Sequence, residues 1–176
     1  MPQRAVLVHA IDPLTDPRWE QLTFRHTRAS VFHCVDWLRS LNKTYGHQPV
    51  VLTTSAPDEP LRDGLLFCRT RSWLTGTHCV SLPFSDHCDP LVESLAELKP
   101  LLAGMRGDRA ETHARYCEIR PVTAFSEGLP NLHRAATYCM HFLDLRRPLE
   151  EIYRGFHDNC VQRKVRRAER EDLNYQ

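Results

Sequence analysis

The feature that most constrains this chain is the order of its apolar segments. Strand-like runs and helix-periodic stretches are interleaved, but they do not alternate strictly. Residues 4–11 are apolar and β-branched enough for a strand, closed off by Asp12-Pro13 and Asp16-Pro17. Asp16 can cap a helix that has Pro17 at its first position and runs to about residue 26. Residues 30–45 suit a helix that stops at Gly46. Residues 49–54 and 65–72 read as two strands of a hairpin, with a turn at 57–60. Residues 79–82 form a short strand before the Pro- and Asp-rich loop 83–90. Leu91, Leu95, Leu98, Leu102 and Met105 then recur at helical spacing, and Pro100 among them predicts a kink or a late helix start. Residues 116–121 are a strand candidate, and 133–145 are the longest one; 148–159 and 161–172 are helical. This order predicts a mixed α/β fold, with a central mixed sheet and hairpins rather than a doubly wound parallel sheet.

Length and composition set the scale. A chain of 176 residues suits one domain, or at most two small ones. It can bury roughly 70% of its unfolded surface, so staples are not needed for a core. With 23 basic and 22 acidic residues, the net charge is +1, which argues against a dedicated nucleic-acid coat and against an acidic disordered chain. No run of 18 apolar residues occurs, so no membrane-spanning helix is expected. The apolar run Ala5-Val6-Leu7-Val8 is too short for a signal-peptide core. The seven cysteines (34, 68, 79, 88, 117, 139 and 160) are odd in number and widely spread. They are expected to be reduced thiols in the cytoplasm, mostly acting as small core hydrophobes.

Several chemistries lack their motifs. There is no GxxxxGK[ST], GxGxxG, GxSxG or HExxH. His78-Cys79 and His87-Cys88 could supply zinc ligands, but neighbouring residues on a strand face opposite sides and no CxxC spacing accompanies them. They are read as ordinary strand and loop residues. The segment Pro83-Phe84-Ser85-Asp86-His87 is different in kind, because it puts a carboxylate and an imidazole on a strand-end loop. Asp86 and His87 could serve as a general base or hold substrate, and Asp86 could equally cap local amides in an Asx turn.

A second signal lies near the end. Arg163, Arg166, Arg167 and Arg170 fall at i, i+3, i+4 and i+7, one face of a helix, with Val161, Val165 and Ala168 opposite. Residues 1–145 hold 15 basic and 16 acidic groups, whereas 161–170 hold five basic residues and one acidic, Glu169. The positive charge is therefore local, and suits phosphates, pyrophosphates or an RNA backbone, or a solvated helix face.

Taken in order, these pieces resemble the N-terminal half of bacterial FemAB-related proteins, within the GNAT-like acyltransferases (the CelD-type acetyltransferase group). The matching residues are Ser30-Val31-Phe32-His33 with Trp37 and Tyr45-Gly46, and Gly64-Leu65-Leu66-Phe67. They continue with residues 80–91 (VSLPFSDHCDPL), Tyr116-Cys117-Glu118-Ile119-Arg120, His141-Phe142-Leu143-Asp144-Leu145, and the basic stretch 161–170. The PFSDH loop and the basic helix are the most specific pieces. The resemblance implies a GNAT-like central mixed sheet flanked by helices over 1–148, and the first helices of a second, truncated GNAT-like domain over 149–176.

It also implies a function: transfer of an acyl or aminoacyl group to an amine of a cell-envelope, peptidoglycan or exopolysaccharide precursor. The donor in the full-length enzyme would be acyl-CoA or aminoacyl-tRNA. The Arg/Gln-x-x-Gly-x-Gly/Ala turn that grips the CoA pyrophosphate is absent, so the donor site is expected in a C-terminal domain beyond this chain. Ser85, Asp86, His87, Arg120, Arg163, Lys164, Arg166 and Arg167 are the expected contacts to an anionic precursor, and no catalytic residue is assigned. Two alternatives are a non-catalytic GNAT-like module that binds substrate or partner, and RNA binding through the terminal helix.

Overall fold

The computed structural model describes residues 6–122, 129 and 132–171. The chain forms two compact units, Met1–His133 and Arg134–Gln176.

The first unit is a mixed α/β layer structure. Strand β1 (His9–Ile11) is followed by helix α1 (Pro17–Arg25), a 3₁₀ turn (Val31–His33) and helix α2 (Val35–Tyr45). Strands β2 (Gln48–Thr53), β3 (Leu65–Ser72) and β4 (Gly76–Val80) come next, then helix α3 (Leu95–Glu111) and the short strand β5 (Cys117–Glu118). The sheet order is β1-β2-β3-β4-β5. The first three pairings are antiparallel, and β4 with β5 is parallel.

Local chemistry explains the helix limits. The Asp16 carboxylate accepts from the Arg18 backbone N–H at 3.0 Å, and Pro17 fills the first helical position of α1. Helix α2 stops at Gly46, whose φ of 68° is the left-handed conformation that glycine adopts without a Cβ penalty. Ser94 caps α3 through the Glu97 N–H, and the Glu97 carboxylate accepts from the Glu93 N–H at 2.8 Å.

The apolar runs of β2 and β3 divide between two cores by their period of two. Val51, Leu66 and Cys68 face one way, onto Trp19, Leu22, Leu38 and Leu41 of α1 and α2. Val50, Leu52, Leu65, Phe67 and Cys79 face the other way, onto Leu98, Leu101, Leu102 and Met105 of α3. A sheet covered on both faces needs continuous rather than alternating hydrophobicity, which is what these strands carry. Gly64, just before β3, is where Trp19 comes closest: a Cβ there would lie 2.7 Å from the indole ring.

Three expectations about elements need correction. The segment 133–145 is not a strand; residues 132–144 have no regular structure and all are exposed. None of the five strands pairs with it, and an extended run without a neighbouring ladder leaves its backbone groups to water. Helix α3 does not start late, because it begins at Leu95, ahead of Pro100. The ring falls early in the helix, where it removes one ladder N–H, and the buried leucines on both sides of it keep the helix packed on the sheet. The first strand is shorter than 4–11: it begins at His9, and residues 4 and 5 lie outside the described residues.

The second unit contains α4 (Leu149–Gly155), a π-helical turn (Asp158–Gln162) and α5 (Arg163–Arg170). The π turn runs directly into α5. Among the described residues, no helix is long and apolar enough to cross a membrane.

Candidate functional site

The parallel pair β4–β5 positions the site. Its strands are linked through α3, and both run out at one end of the sheet. Open α/β sheets bind ligands outside the carboxyl ends of parallel strands. Here that end is occupied by the loop leaving β4.

The loop 81–88 is an excursion with closed ends. The Ser81 N–H donates to Glu118 O at 2.8 Å, and the Cys88 N–H donates to Arg120 O at 2.8 Å. The Ser81 hydroxyl joins the two ends by donating to Cys88 O (3.2 Å) and accepting from the Arg120 N–H (3.2 Å). Between them the backbone takes two left-handed steps at non-glycine residues, Leu82 (φ 52°) and Phe84 (φ 58°). Such steps cost about 1–2 kcal/mol each. Leu82 is repaid by complete burial in the α1/α2 core, while Phe84 turns outward onto Tyr45, with ring centroids 4.6 Å apart.

Each expected loop residue has a defined place. Ser85 is buried, and its hydroxyl accepts from the Trp37 indole N–H at 3.1 Å. The Arg120 guanidinium reaches over the loop, donating to Ser85 O at 3.3 Å and pairing with Glu118 Oε1 at 2.6 Å. The imidazole of His87 stands edge-on to Phe32 (5.2 Å, 83°), and Phe32 in turn stands edge-on to Trp37. His87 Nδ1 is buried without a hydrogen-bond partner among the described residues. The Asp86 carboxylate is exposed. Ser85, His87 and Arg120 therefore share one end of the sheet, and two aromatic pairs flank the loop: Phe32 with Trp37 at His87, and Tyr45 with Phe84.

One residue of this region carries no sequence signal for its role. His33 is completely buried. Its Nδ1 accepts from the Ser30 N–H at 3.1 Å, which leaves the proton on Nε2, and Nε2–H donates to Asp89 O at 2.9 Å. Burial pushes its pKa below the ordinary histidine value, against the opposing pull of the Asp89 carbonyl. The Trp19 indole N–H donates to His33 O at 3.0 Å. His33 thus ties the 3₁₀ turn and α1 to the far end of the loop. A lone His before a helix looks the same in sequence whether it is buried or exposed.

The basic residues belong to the second unit. On α5, Arg166 donates to Gln162 Oε1 at 2.9 Å, and Arg167 pairs with Glu171 at 2.7 Å. Arg163 and Lys164 are exposed. Val161 and Val165 are also more than a third exposed, so the helix has charge on one side and a thin apolar strip on the other. Among the described residues, no group of three or more His, Cys, Asp or Glu side chains could hold a metal ion. All seven cysteines are free thiols; Cys68, Cys79 and Cys88 are buried, Cys117 is half-buried, and Cys34, Cys139 and Cys160 are exposed.

No family model matches the chain. No curated protein matches it either. Among solved structures, the crystal structure of a probable acetyltransferase is similar at 13% identity, over 79% of this chain and 97% of that one, with a TM-score of 0.45. Similarity at that level is too distant to transfer an activity.

Proposed function

We propose that this chain is the acceptor-binding part of a FemAB-like, GNAT-like N-acyltransferase, and that the loop at the carboxyl ends of β4 and β5 holds the amine of an anionic envelope or polysaccharide precursor. The observation that carries this reading is the buried, unpartnered His87 Nδ1 within a loop pinned at the end of a parallel strand pair. An unpaired buried acceptor costs about 1–3 kcal/mol, which an N–H donor from a ligand would offset. The exposed rings of Phe84 and Tyr45 offer a surface against which a sugar or nucleobase ring can rest. Independently of the loop, Arg163, Lys164, Arg166 and Arg167 of the second unit are proposed to contact phosphate.

The donor is assigned elsewhere. Residues 81–94, which link β4 to α3, contain no glycine. Several of their amides are already used within the protein: Leu82, Cys88, Leu91 and Val92 donate to Val80, Arg120, Gly64 and Pro90 carbonyls. A loop without glycine does not let its backbone close around a pyrophosphate, so acyl-CoA or aminoacyl-tRNA is proposed to bind outside this loop.

A second reading, a binding module without transfer chemistry, is favoured by one observation. The Ser85 hydroxyl accepts from Trp37 and the Arg120 guanidinium pairs with Glu118, so both side chains serve to hold the loop in place.

Calorimetric titration of the chain with a nucleotide-linked amino sugar tests the first reading. Saturable binding is expected, weakened at least about tenfold by His87→Ala, the equivalent of 1.4 kcal/mol. Unchanged binding in that variant would remove the loop from the proposal. Release of free CoA thiol together with an acetylated amine, when acetyl-CoA is added to this chain, would overturn the assignment of the donor elsewhere.

A further inference from the structure

A second constellation lies within the same parallel pair, one residue before Val80 and Glu118. Cys79 of β4 and Cys117 of β5 are register partners. Paired residues on adjacent strands share a face and stand about 4.8 Å apart across the ladder, inside the Cα range that a disulfide spans. Cys79 is completely buried against α3, and Cys117 is half-buried.

Their surroundings differ. Cys117 lines a cavity of about 290 Å³ together with Met105, Arg106, Arg109, Arg115 and Tyr116. The Cys79 S–H donates to Asp108 Oδ2 at 3.5 Å, and Asp108 is itself held by the Arg69 guanidinium. The Cys117 S–H points at Met105 O, 3.7 Å away. Its closeness to Cys79 and the charges of Arg109 and Arg106 lower the Cys117 pKa, while closeness to Cys117 and burial push Cys79 up. One sulfur therefore faces a cationic cavity that favours its ionised form, and its neighbour is a buried thiol that keeps its proton. That is the arrangement of an attacking and a resolving cysteine.

We propose that Cys117 and Cys79 form an oxidisable dithiol, in which a small hydroperoxide entering the arginine-lined cavity oxidises Cys117 and Cys79 then closes a disulfide between β4 and β5. In the first step the Cys117 thiolate attacks one peroxide oxygen. The S–O bond forms, the O–O bond breaks, sulfur gives up two electrons, and hydroxide (or the alcohol) leaves after taking up a proton. In the second step the Cys79 sulfur attacks the Cys117 sulfenic acid. The S–S bond forms, the S–O bond breaks, and the Cys79 proton leaves with the hydroxyl group as water. The cross-link clasps the parallel pair one residue before Val80 and Glu118.

The test is mass spectrometry of the full chain treated with hydrogen peroxide and digested both with trypsin and at aspartates, where cleavage after Arg71 and before Asp86 separates Cys79 from Cys68 and Cys88, and cleavage after Arg115 and Arg134 separates Cys117 from Cys139. The expected result is a Cys79–Cys117 linked peptide that forms before Cys34, Cys139 or Cys160 is modified and disappears on reduction. With a dimedone-type trap present, Cys79→Ala should convert the cross-link into a Cys117 sulfenic adduct, and Arg106→Gln should slow oxidation of Cys117 several-fold. Oxidation confined to the exposed cysteines, or a cross-link joining Cys117 to a different partner, would overturn the proposal. The linked peptide is read in the unsubstituted protein, so the proposal stays testable even if a cysteine variant fails to fold.

Discussion

The Trp37 indole N–H donates to the Ser85 hydroxyl at 3.1 Å, joining helix α2 to the loop after β4 across 48 residues of sequence. This bond holds the loop through the Ser85 side chain, while Arg120 holds the same residue through its carbonyl. Trp37→Phe keeps most of the packing against Phe32 and removes the donor. The expected cost is about 1 kcal/mol in denaturant unfolding, with faster amide exchange confined to 82–88. Exchange that rises equally across α2 and the sheet would mean that the bond does not hold the loop locally.

Gly64 is required by the close approach of Trp19. A Cβ would meet the indole ring at 2.7 Å and Val51 at 3.3 Å, and both neighbours are buried core. Gly64→Ala is expected to destabilise the chain by about 1–3 kcal/mol. Trp19→Leu in the Gly64→Ala background should recover part of what the alanine adds, because it removes the atom that clashes. A double-mutant cycle reads this coupling.

His33 makes stability depend on pH. Its imidazole is buried neutral, with its pKa below the ordinary 6.5 mainly because of desolvation. The unfolded chain therefore takes up a proton before the folded one does. Stability is complete above pH 6.5 and falls as the pH drops below 6.5 toward the lowered folded pKa. His26 and His47 are shifted the same way by burial and add to the same slope. His33→Gln should lower stability at pH 7.5 but flatten its decline between pH 6.5 and 5, as measured by urea midpoints. An unchanged slope would show that His33 does not titrate with unfolding.

Asp108 joins three elements. It lies on α3, pairs with Arg69 of β3 and accepts from the Cys79 thiol of β4. Asp108→Ala leaves a guanidinium without its counter-charge beside the sheet. Because Arg69 is partly exposed, the expected loss is about 2 kcal/mol, below the value for a fully buried pair. Thermal unfolding checks it, and the loss should persist at high salt because Asp108 itself is buried.

Much of the fold was legible because its signals are local. Asp16-Pro17 and Gly46 mark the ends of helices α1 and α2 by cap chemistry, and the apolar runs of β2 and β3 declare strands buried on both sides. The segment 133–145 misled for the same reason: its residue types suit a strand, but a strand exists only where another backbone offers a ladder. Pro100 does not delay the start of α3, because the cost of one missing N–H is small beside the leucines that the helix buries. In the candidate site, Ser85, His87 and Arg120 were legible as residue types on strand-end segments. Their partners Trp37, Phe32 and Glu118 were not, because two of them arrive from a helical region about 50 residues earlier.

The sequence by itself determined where the chain turns, which stretches bury apolar surface, and that the positive charge concentrates near 161–170. Those properties follow from side-chain chemistry acting over a few residues. Only the tertiary structure decided that β4 and β5 run parallel, that the loop between Ser81 and Cys88 is closed by Glu118 and Arg120, and that Cys79 meets Cys117. Those relations depend on backbone ladders between segments far apart in sequence, and pairing of that kind is set by the folded sheet as a whole.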